Sequence, residues 1–256
     1  MSDALYIAAT GMQTQQKSVD TIANNLANVN TPGFKRGKVS FEDLVYRGMG
    51  AAAPGGTAAM WQGSGVGIAS LAKVFAAGEI KKTDQPLDLA IDGDGFVEVM
   101  TADGTAAFAR GGTLTVDRDG MLATADGHVL KPGIHVGLDA EALTILPDGR
   151  VLARAPGQKE ASEVGRIEMA RFGDTDGMVA LGANLYRPSE KSGDAIYGKA
   201  GEDGMGRLVQ GAVEASNVRL IDEMVGLMAA QRAYESSVKV IQAADEMLAM
   251  SNNLRK

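Results

Sequence analysis

The sequence contains no cysteine and only two histidines. No disulfide, thiolate nucleophile or sulfur-ligated metal site can therefore form, and His128 and His135 supply too few nitrogen ligands for a zinc site. A Gly-x-Ser-x-Gly elbow, which would expose a nucleophilic serine, is also absent. The formal net charge is -7, with a pI near 5.0. Such a surface repels phosphate, so we expect neither nucleic acid nor an anionic membrane surface as a partner.

Long apolar runs are missing as well. The longest, residues 224–230, is far shorter than the ~20 residues that span a bilayer. At the N-terminus, Asp3 stands where a signal peptide has basic residues, and a polar stretch follows at residues 13–17. We therefore expect no membrane insertion and no cleavable secretion signal.

Residues that break helices are scarce at both ends of the chain. All 7 prolines lie between Pro32 and Pro188, residues 1–30 contain only Gly11, and residues 218–256 contain only Gly226. Proline removes a helical hydrogen bond and glycine costs ~1 kcal/mol in a helix, so the distribution predicts two terminal helices around a non-helical middle. At 1.5 Å per residue these helices would be ~40 Å and ~55 Å long, more than a compact domain of this size usually hides.

Both terminal segments repeat apolar residues in alternating steps of three and four, a spacing typical of coiled-coil seams. In the first segment the seam residues are Leu5, Ala8, Met12, Val19, Ile22, Leu26 and Val29, interrupted by Gln15. In the last segment they are Leu220, Met224, Leu227, Tyr234, Val238, Ile241 and Leu248, interrupted by Gln231 and Asp245. A flanking row of Ile221, Val225 and Met228 makes the second apolar face broader than a two-helix seam requires. Each stripe alone also fits an ordinary core-facing helix, but two of them favour a paired or bundled helical layer.

The middle of the chain has the features of a β-rich domain. Residues 51–67 are rich in alanine and glycine and indicate a flexible connector. Short apolar runs then predict strands at residues 87–91, 96–100, 114–116, 128–130, 143–146 and 166–172. Asp-Gly pairs, which favour tight hairpin turns, begin at Asp92, Asp94, Asp103, Asp119, Asp126, Asp148, Asp176 and Asp203.

The predicted fold class is therefore α+β, with long N- and C-terminal helices that pair in a coiled-coil-like layer and a central domain of antiparallel hairpins. The predicted division is a helix and turn at residues 1–36, a linker at 37–68, the β-rich domain at 69–217 and a second helix at 218–256.

Several fragments resemble active-site motifs, and each lacks an essential residue. The segment from Gly193 to Lys199 has phosphate-loop spacing, but Ala200 replaces the hydroxyl residue that binds Mg²⁺. The segment that begins at Asp92 resembles a calcium loop but lacks its central glycine and terminal glutamate. Residues 63–67 (GSGVG) lack dinucleotide-binding spacing and suggest a hinge. We expect no enzyme, catalytic residue, metal or cofactor. Two alternatives remain: a hydrolase that uses paired carboxylates, and an exported monomeric β-domain protein.

The segment Asn24-Asn25-Leu26-Ala27-Asn28-Val29-Asn30-Thr31-Pro32-Gly33-Phe34-Lys35-Arg36 closely resembles the signature of the bacterial flagellar rod and hook proteins. Residues 211–218, residues 231–235 and the central residues 87–96 resemble the other shared blocks of that family. The resemblance thus covers nearly the whole chain. With residues 41–46 after the signature, the chain is most similar to distal rod subunits, and the proximal rod subunits are the alternative.

The resemblance implies a structural subunit of the distal rod, which self-assembles through its terminal helices into a tubular drive shaft. It implies a helical homopolymer that spans the periplasm, contacts proximal rod and hook-side proteins, turns inside a ring bushing and leaves the cell through the flagellar type III export apparatus. The implied assembly residues are the seam residues above, other than Ala8 and the polar interruptions, together with Asn24, Asn25 and Asn28, whose amides could bond backbones across subunits. Phe41 and Leu44 resemble the hydrophobic element that engages the export gate, although they could equally anchor the linker.

Overall fold

A computed structural model of the chain describes residues 2–47, 61–158 and 160–253. The helices are α1 (Ser2–Ala27) and α2 (Leu220–Asn253). The first nine strands are β1 (Gly37–Arg47), β2 (Trp61–Lys73), β3 (Ile80–Lys82), β4 (Asp88–Asp92), β5 (Phe96–Met100), β6 (Ala106–Ala109), β7 (Gly111–Val116), β8 (Leu122–Thr124) and β9 (Val129–Leu130). The others are β10 (Ala142–Ile145), β11 (Arg150–Arg154), β12 (Ser162–Arg166), β13 (Glu168–Arg171), β14 (Val179–Gly182), β15 (Leu185–Arg187), β16 (Ile196–Lys199), β17 (Arg207–Gln210) and β18 (Ala212–Glu214).

The chain forms two compact units. The helical unit comprises Met1–Ala27, Gly37–Ala72 and Arg219–Lys256, and the β unit comprises Asn28–Arg36 and Lys73–Val218. The helical unit contains α1, α2 and a two-stranded sheet of β1 and β2. Neither helix is long and apolar enough over its described residues to cross a membrane.

The β unit is built almost entirely from antiparallel strands. Its main sheet has the order β14-β15-β6-β5-β9-β8-β7-β4-β17, and β13 joins it by pairing with both β5 and β16. A second sheet, β10-β11-β12, contributes Ile145 and Val151 to the same apolar core that Leu89 and Val99 supply from the main sheet. A separate cluster of edge-to-face aromatic rings contains Phe75, Phe96, Phe108, Phe172 and Tyr186. The α+β class and the antiparallel middle predicted from the sequence are therefore confirmed.

Four of the eight predicted Asp-Gly turns close hairpins; those that begin at Asp92, Asp94 and Asp203 do not, because the strands on either side of them are not paired with each other. Gly104, Gly120, Gly127 and Gly149 have positive φ and close the hairpins β5–β6, β7–β8, β8–β9 and β10–β11. The turn at Asp176 is different, because Asp176 and Gly177 lie in the 3-10 helix Thr175–Gly177. A Cβ on Gly177 would stand 2.7 Å from the backbone nitrogen of Ser192, so glycine is needed there for a close approach and not for a hairpin.

Strands occupy both ends of the stretch, residues 37–68, that the sequence analysis assigned to a linker. The alanine-rich residues 51–60 lie outside the described part of the chain. The hinge prediction for residues 63–67 is wrong, because they lie within β2. Their glycines serve close packing: a Cβ on Gly65 would collide with the Thr10 hydroxyl, and one on Gly67 would lie 3.3 Å from Leu44 Cδ2.

A buried network of charges joins distant parts of the β unit. Lys35 Nζ donates to Glu214 Oε1 at 2.7 Å, and Arg110 Nε donates to Glu214 Oε2 at 3.3 Å. The exposed fractions of Lys35, Glu214 and Arg110 are 0 %, 3 % and 3 %, so all three residues are buried. Burial lowers the pKa of Lys35, and the hydrogen bond and charge of Glu214 oppose that effect. One carboxylate thus balances two buried cations.

The network also explains two sequence motifs. Arg110 donates to the carbonyl oxygens of Gly95 and Gly93 at 2.8 and 2.9 Å, so the segment that resembles a calcium loop is the acceptor for a guanidinium. Lys35, from the signature segment, also donates to Ala76 O at 2.9 Å. The signature turn is therefore fixed to the strand that precedes α2 in the sequence.

Asn217 holds the backbone at the ends of the β unit's two chain segments. Its side-chain oxygen accepts from Arg36 N at 2.8 Å, and its amide nitrogen donates to Val74 O at 2.7 Å. Arg36 ends the first segment of the β unit, and Val74 and Asn217 lie near the two ends of the second. One amide therefore connects three of the points at which the chain leaves the β unit.

Glu214→Gln should destabilise the β unit by about 3–5 kcal/mol, because it leaves Lys35 and Arg110 buried without a counter-charge. The free energy of unfolding, measured by urea denaturation of the full chain, checks this value. Glu79→Gln, at an exposed position on the adjoining chain segment, is the matched control and should change little. Equal stability of the Glu214 variant and the wild type would show that the network is not needed.

Candidate assembly surface

The two helices contact each other through small side chains. A Cβ on Gly11 would lie 3.5 Å from Ser237 Oγ, and one on Gly226 would lie 3.5 Å from Ile22 Cδ1. These pairs show that α1 and α2 run antiparallel. The buried residues on the helices are Ala8, Thr14 and Asn25 on α1 and Glu223, Ala230 and Ala244 on α2. Because small residues line the contact, the helix axes can approach closely.

The row on α2 that faces α1 has a seven-residue period. Glu223, Ala230 and Ala244 are buried, and Ser237 completes the spacing. Continuing the register of the Gly11–Ser237 and Ile22–Gly226 pairs places Ser2 opposite position 246. Residues 247–253 of α2 therefore extend beyond the described start of α1.

Asn25 forms a buried polar contact at the other end of the helix pair. Its side-chain oxygen accepts from Gly37 N at 2.7 Å, and its amide nitrogen donates to Gly37 O at 2.9 Å and Glu223 Oε2 at 3.1 Å. Asn25 is 1 % exposed. The expectation that it bonds a backbone in another subunit is therefore wrong: it bonds the backbone of its own chain, because β1 returns along α1. Asn24 is exposed, and Asn28 is half-buried and accepts from the Thr31 hydroxyl.

Large apolar side chains remain exposed on both helices, some of them beside the row that packs on α1. On α1 the exposed ones are Tyr6 and Ile7; on α2 they are Leu220, Ile221, Met224, Val225, Met228, Tyr234, Val240, Met247, Leu248 and Met250. Ile221 has the largest exposed fraction, 75 %. Together these side chains present on the order of 1,000 Å² of apolar surface, spread over two helices and over more than one face of α2.

The structure divides the predicted seam residues into two groups. Leu220, Met224, Tyr234 and Leu248 are exposed. The half-buried residues are Leu5, Met12, Val19, Ile22, Leu26, Val29, Leu227, Val238 and Ile241. The row that packs on α1 is thus displaced from the predicted seam toward smaller residues.

Sequence reasoning missed part of each surface. Ala230, Ser237 and Ala244 were missed because they are small and only weakly hydrophobic, although they repeat every seven residues in the sequence. Val240, Met247 and Met250 were missed because they fall outside a strict heptad. They could be identified as part of the exposed apolar surface only from the folded structure.

The two export-gate candidates lie on β1 but not on one face. Phe41 is 44 % exposed and Leu44 is half-buried. Residues three apart in a strand point to opposite faces, so Phe41 shares its face with the exposed Val45. Leu44 packs against Gly67 of β2.

Two ionisable groups in packed parts of the β unit have altered pKa values. Burial lowers the pKa of Lys73, whose ammonium lies 4.2 Å from the Phe34 ring centroid, and raises that of Tyr186 to about 12. Within the described ranges, no three His, Asp or Glu side chains are grouped so that they could hold a metal ion.

Three family models match the chain. "Flagella basal body rod protein" matches residues 5–35, "Flagellar hook protein FlgE/F/G D1 domain" matches residues 90–153, and "Flagellar basal body rod FlgEFG protein C-terminal" matches residues 209–254. The first and last cover most of α1 and α2. The middle one lies within the β unit.

Full-length relatives carry a flagellar name. The chain is 40 % identical to the flagellar basal-body rod protein FlgG of Borreliella burgdorferi and 38 % identical to that of Bacillus subtilis, in both cases over 100 % of each chain. In Caulobacter vibrioides it is 39 % identical to FlgG, over 98 % of this chain and 99 % of the relative, and 34 % identical to FlgF, over 96 % and 95 %. Within that organism the FlgG protein is the more similar of the two.

Asn25→Asp should destabilise the helical unit by about 3 kcal/mol, because the new carboxylate cannot donate to Gly37 O and faces the buried Glu223. Amide hydrogen exchange across α1 in the full chain measures the loss. Gln16→Glu, at an exposed position on the same helix, makes the same amide-to-carboxylate change and should leave exchange as in the wild type. If both variants behave alike, the Asn25 contact does not hold α1.

Proposed function

Because this chain belongs to the flagellar basal-body rod protein family and is a structural subunit of the rod, we propose that it builds the distal rod as a helical homopolymer. Its 36–40 % identity over nearly the full length of FlgG relatives supports the distal assignment. The helices of many copies would pair further, in a coiled-coil-like manner, to form the tube.

The observation that carries this proposal is the large outward apolar surface of α1 and α2. Its size, on the order of 1,000 Å², is about what one side of a stable protein interface requires. The small-residue contact within the chain leaves this surface uncovered. A contact between two different faces of identical subunits continues as a helical filament when its rotation does not close into a ring.

The proposal also covers the proteins that the subunit would contact in the flagellum and the way in which it would leave the cell. The subunit would join the proximal rod to the hook, turn within the surrounding ring and transmit torque across the periplasm. The β unit would be stabilised by its own two-sheet core and charge network. Export would proceed through the flagellar type III apparatus as an unfolded chain.

Ile221→Asp should abolish rod assembly without unfolding the subunit. Ile221 is 75 % exposed in the first turn of α2, where a carboxylate also suits the helix dipole. In an assembled interface, however, the same carboxylate would be buried among apolar side chains. Electron microscopy of basal bodies from cells that make only this variant measures rod length.

Leu138→Asp is the matched control, because Leu138 is 69 % exposed but lies in the β unit. It should support rods of normal length and swimming. Full-length rods from the Ile221 variant, or equal loss in both variants, would contradict assembly through the helices.

We also propose that Phe41 and Leu44 engage the export gate. Phe41→Ala with Leu44→Ala should leave the subunit in the cytoplasm, because the unfolded chain would lose its apolar recognition element. Fractionation and immunoblotting measure this. Val45→Ala, on the exposed face of the same strand, is the control. Normal export of the double variant would remove the gate role.

A further inference from the structure

The outer face of α2 carries the exposed methionines of the helical unit. Met224, Met228, Met247 and Met250 have exposed fractions of 51 %, 52 %, 50 % and 58 %. At 3.6 residues per turn, Met224, Met228 and Met250 fall on the side of α2 away from the row that packs on α1, and Met247 lies at the edge of that side, three residues after Ala244. The buried methionines Met169, Met178 and Met205 belong to the β unit, with exposed fractions of 0 %, 5 % and 7 %.

These methionines lie among other exposed apolar side chains. Met224 and Met228 are adjacent on the helix surface to Ile221 and Val225, which are 75 % and 55 % exposed. Met247 and Met250 are in the part of α2 that extends past the described start of α1. The area of this surface is about what contact with a second copy of this chain would bury. An assembled subunit would therefore bury sulfur atoms that the free subunit exposes.

Exposed thioethers are open to oxidation by peroxides. The sulfur attacks one peroxide oxygen, the O–O bond breaks, and the products are methionine sulfoxide and water; sulfur loses two electrons and the peroxide gains them. The chain contains no cysteine to react first. The new S=O group is polar and needs a hydrogen-bond donor, which an apolar interface does not supply.

We infer that Met224, Met228, Met247 and Met250 are modification sites whose oxidation in the free subunit prevents its addition to the polymer. This inference rests on the proposed function. Sulfoxide formation places a polar group at each end of the α2 surface without unfolding the chain. The completed polymer resists the same oxidant, because the sulfur atoms are covered.

The first measurement compares oxidation in free and assembled protein. The purified full chain is exposed to hydrogen peroxide before or after polymerisation, and peptide mass spectrometry follows each methionine. The α2 methionines should oxidise in the free chain and be protected at least about tenfold in the polymer. Met100, which is 45 % exposed in the β unit, should oxidise in both states, and Met169 in neither. Equal oxidation of the α2 methionines in both states would overturn the inference.

The second measurement asks whether oxidation blocks assembly. The fraction of peroxide-treated wild-type chain that sediments as polymer should fall about tenfold or more, and methionine sulfoxide reductases should restore it. Met100→Leu, a volume-conserving change in the β unit and away from the α2 surface, should polymerise before treatment and lose assembly after treatment as the wild type does. If treated wild type polymerises normally, or the Met100 variant keeps its assembly after treatment, the inference fails. If untreated wild type forms no polymer at all, the proposed function fails, and this inference fails with it.

Discussion

The close antiparallel contact between α1 and α2 determines what the rest of the helical unit can do. The closest approach is made where Gly11 meets Ser237 and Gly226 meets Ile22, and the polar Asn25 and Glu223 are buried in the same contact. Several large apolar side chains of α2, among them Ile221 and Met228, remain exposed. In the proposed assembly this exposed surface would bind further copies while the close contact holds the two helices of one subunit together.

The β unit uses a different physical device at the places where the chain leaves it. Buried charges usually contribute little net stability, but removing one partner is costly. Glu214 binds Lys35 from the signature segment and Arg110 from the centre of the fold, so segments 179 residues apart in sequence are fixed together. Asn217 adds backbone bonds to Arg36 and Val74. The ends of the chain segments that form the β unit are therefore held in place by specific hydrogen bonds.

Much of the fold could be predicted from local chemistry. Missing helix breakers located both helices, and Asp-Gly pairs located most hairpin turns, because both effects act within a few residues. The partners of Asn25, Lys35 and Glu214 could not be predicted, since their contacts join residues far apart in sequence. The seam was displaced for another reason: hydrophobicity marks Leu220 and Tyr234, whereas the contact with α1 selects Ala230 and Ser237 for their small size. The seven-residue repeat alone does not show which row of α2 residues packs on α1 and which row is exposed.

Cysteine cross-linking tests most directly whether the helix pair belongs to one chain. The native sequence has no cysteine, so Gly11→Cys with Ser237→Cys introduces the only two thiols. A Cβ at position 11 would lie 3.5 Å from the side chain of residue 237, which is compatible with a disulfide. The account predicts an intrachain bond in both free and assembled protein, so that denaturing gels without reductant show a single-chain band. A ladder of covalent multimers would contradict it, because the helices would then pair between copies.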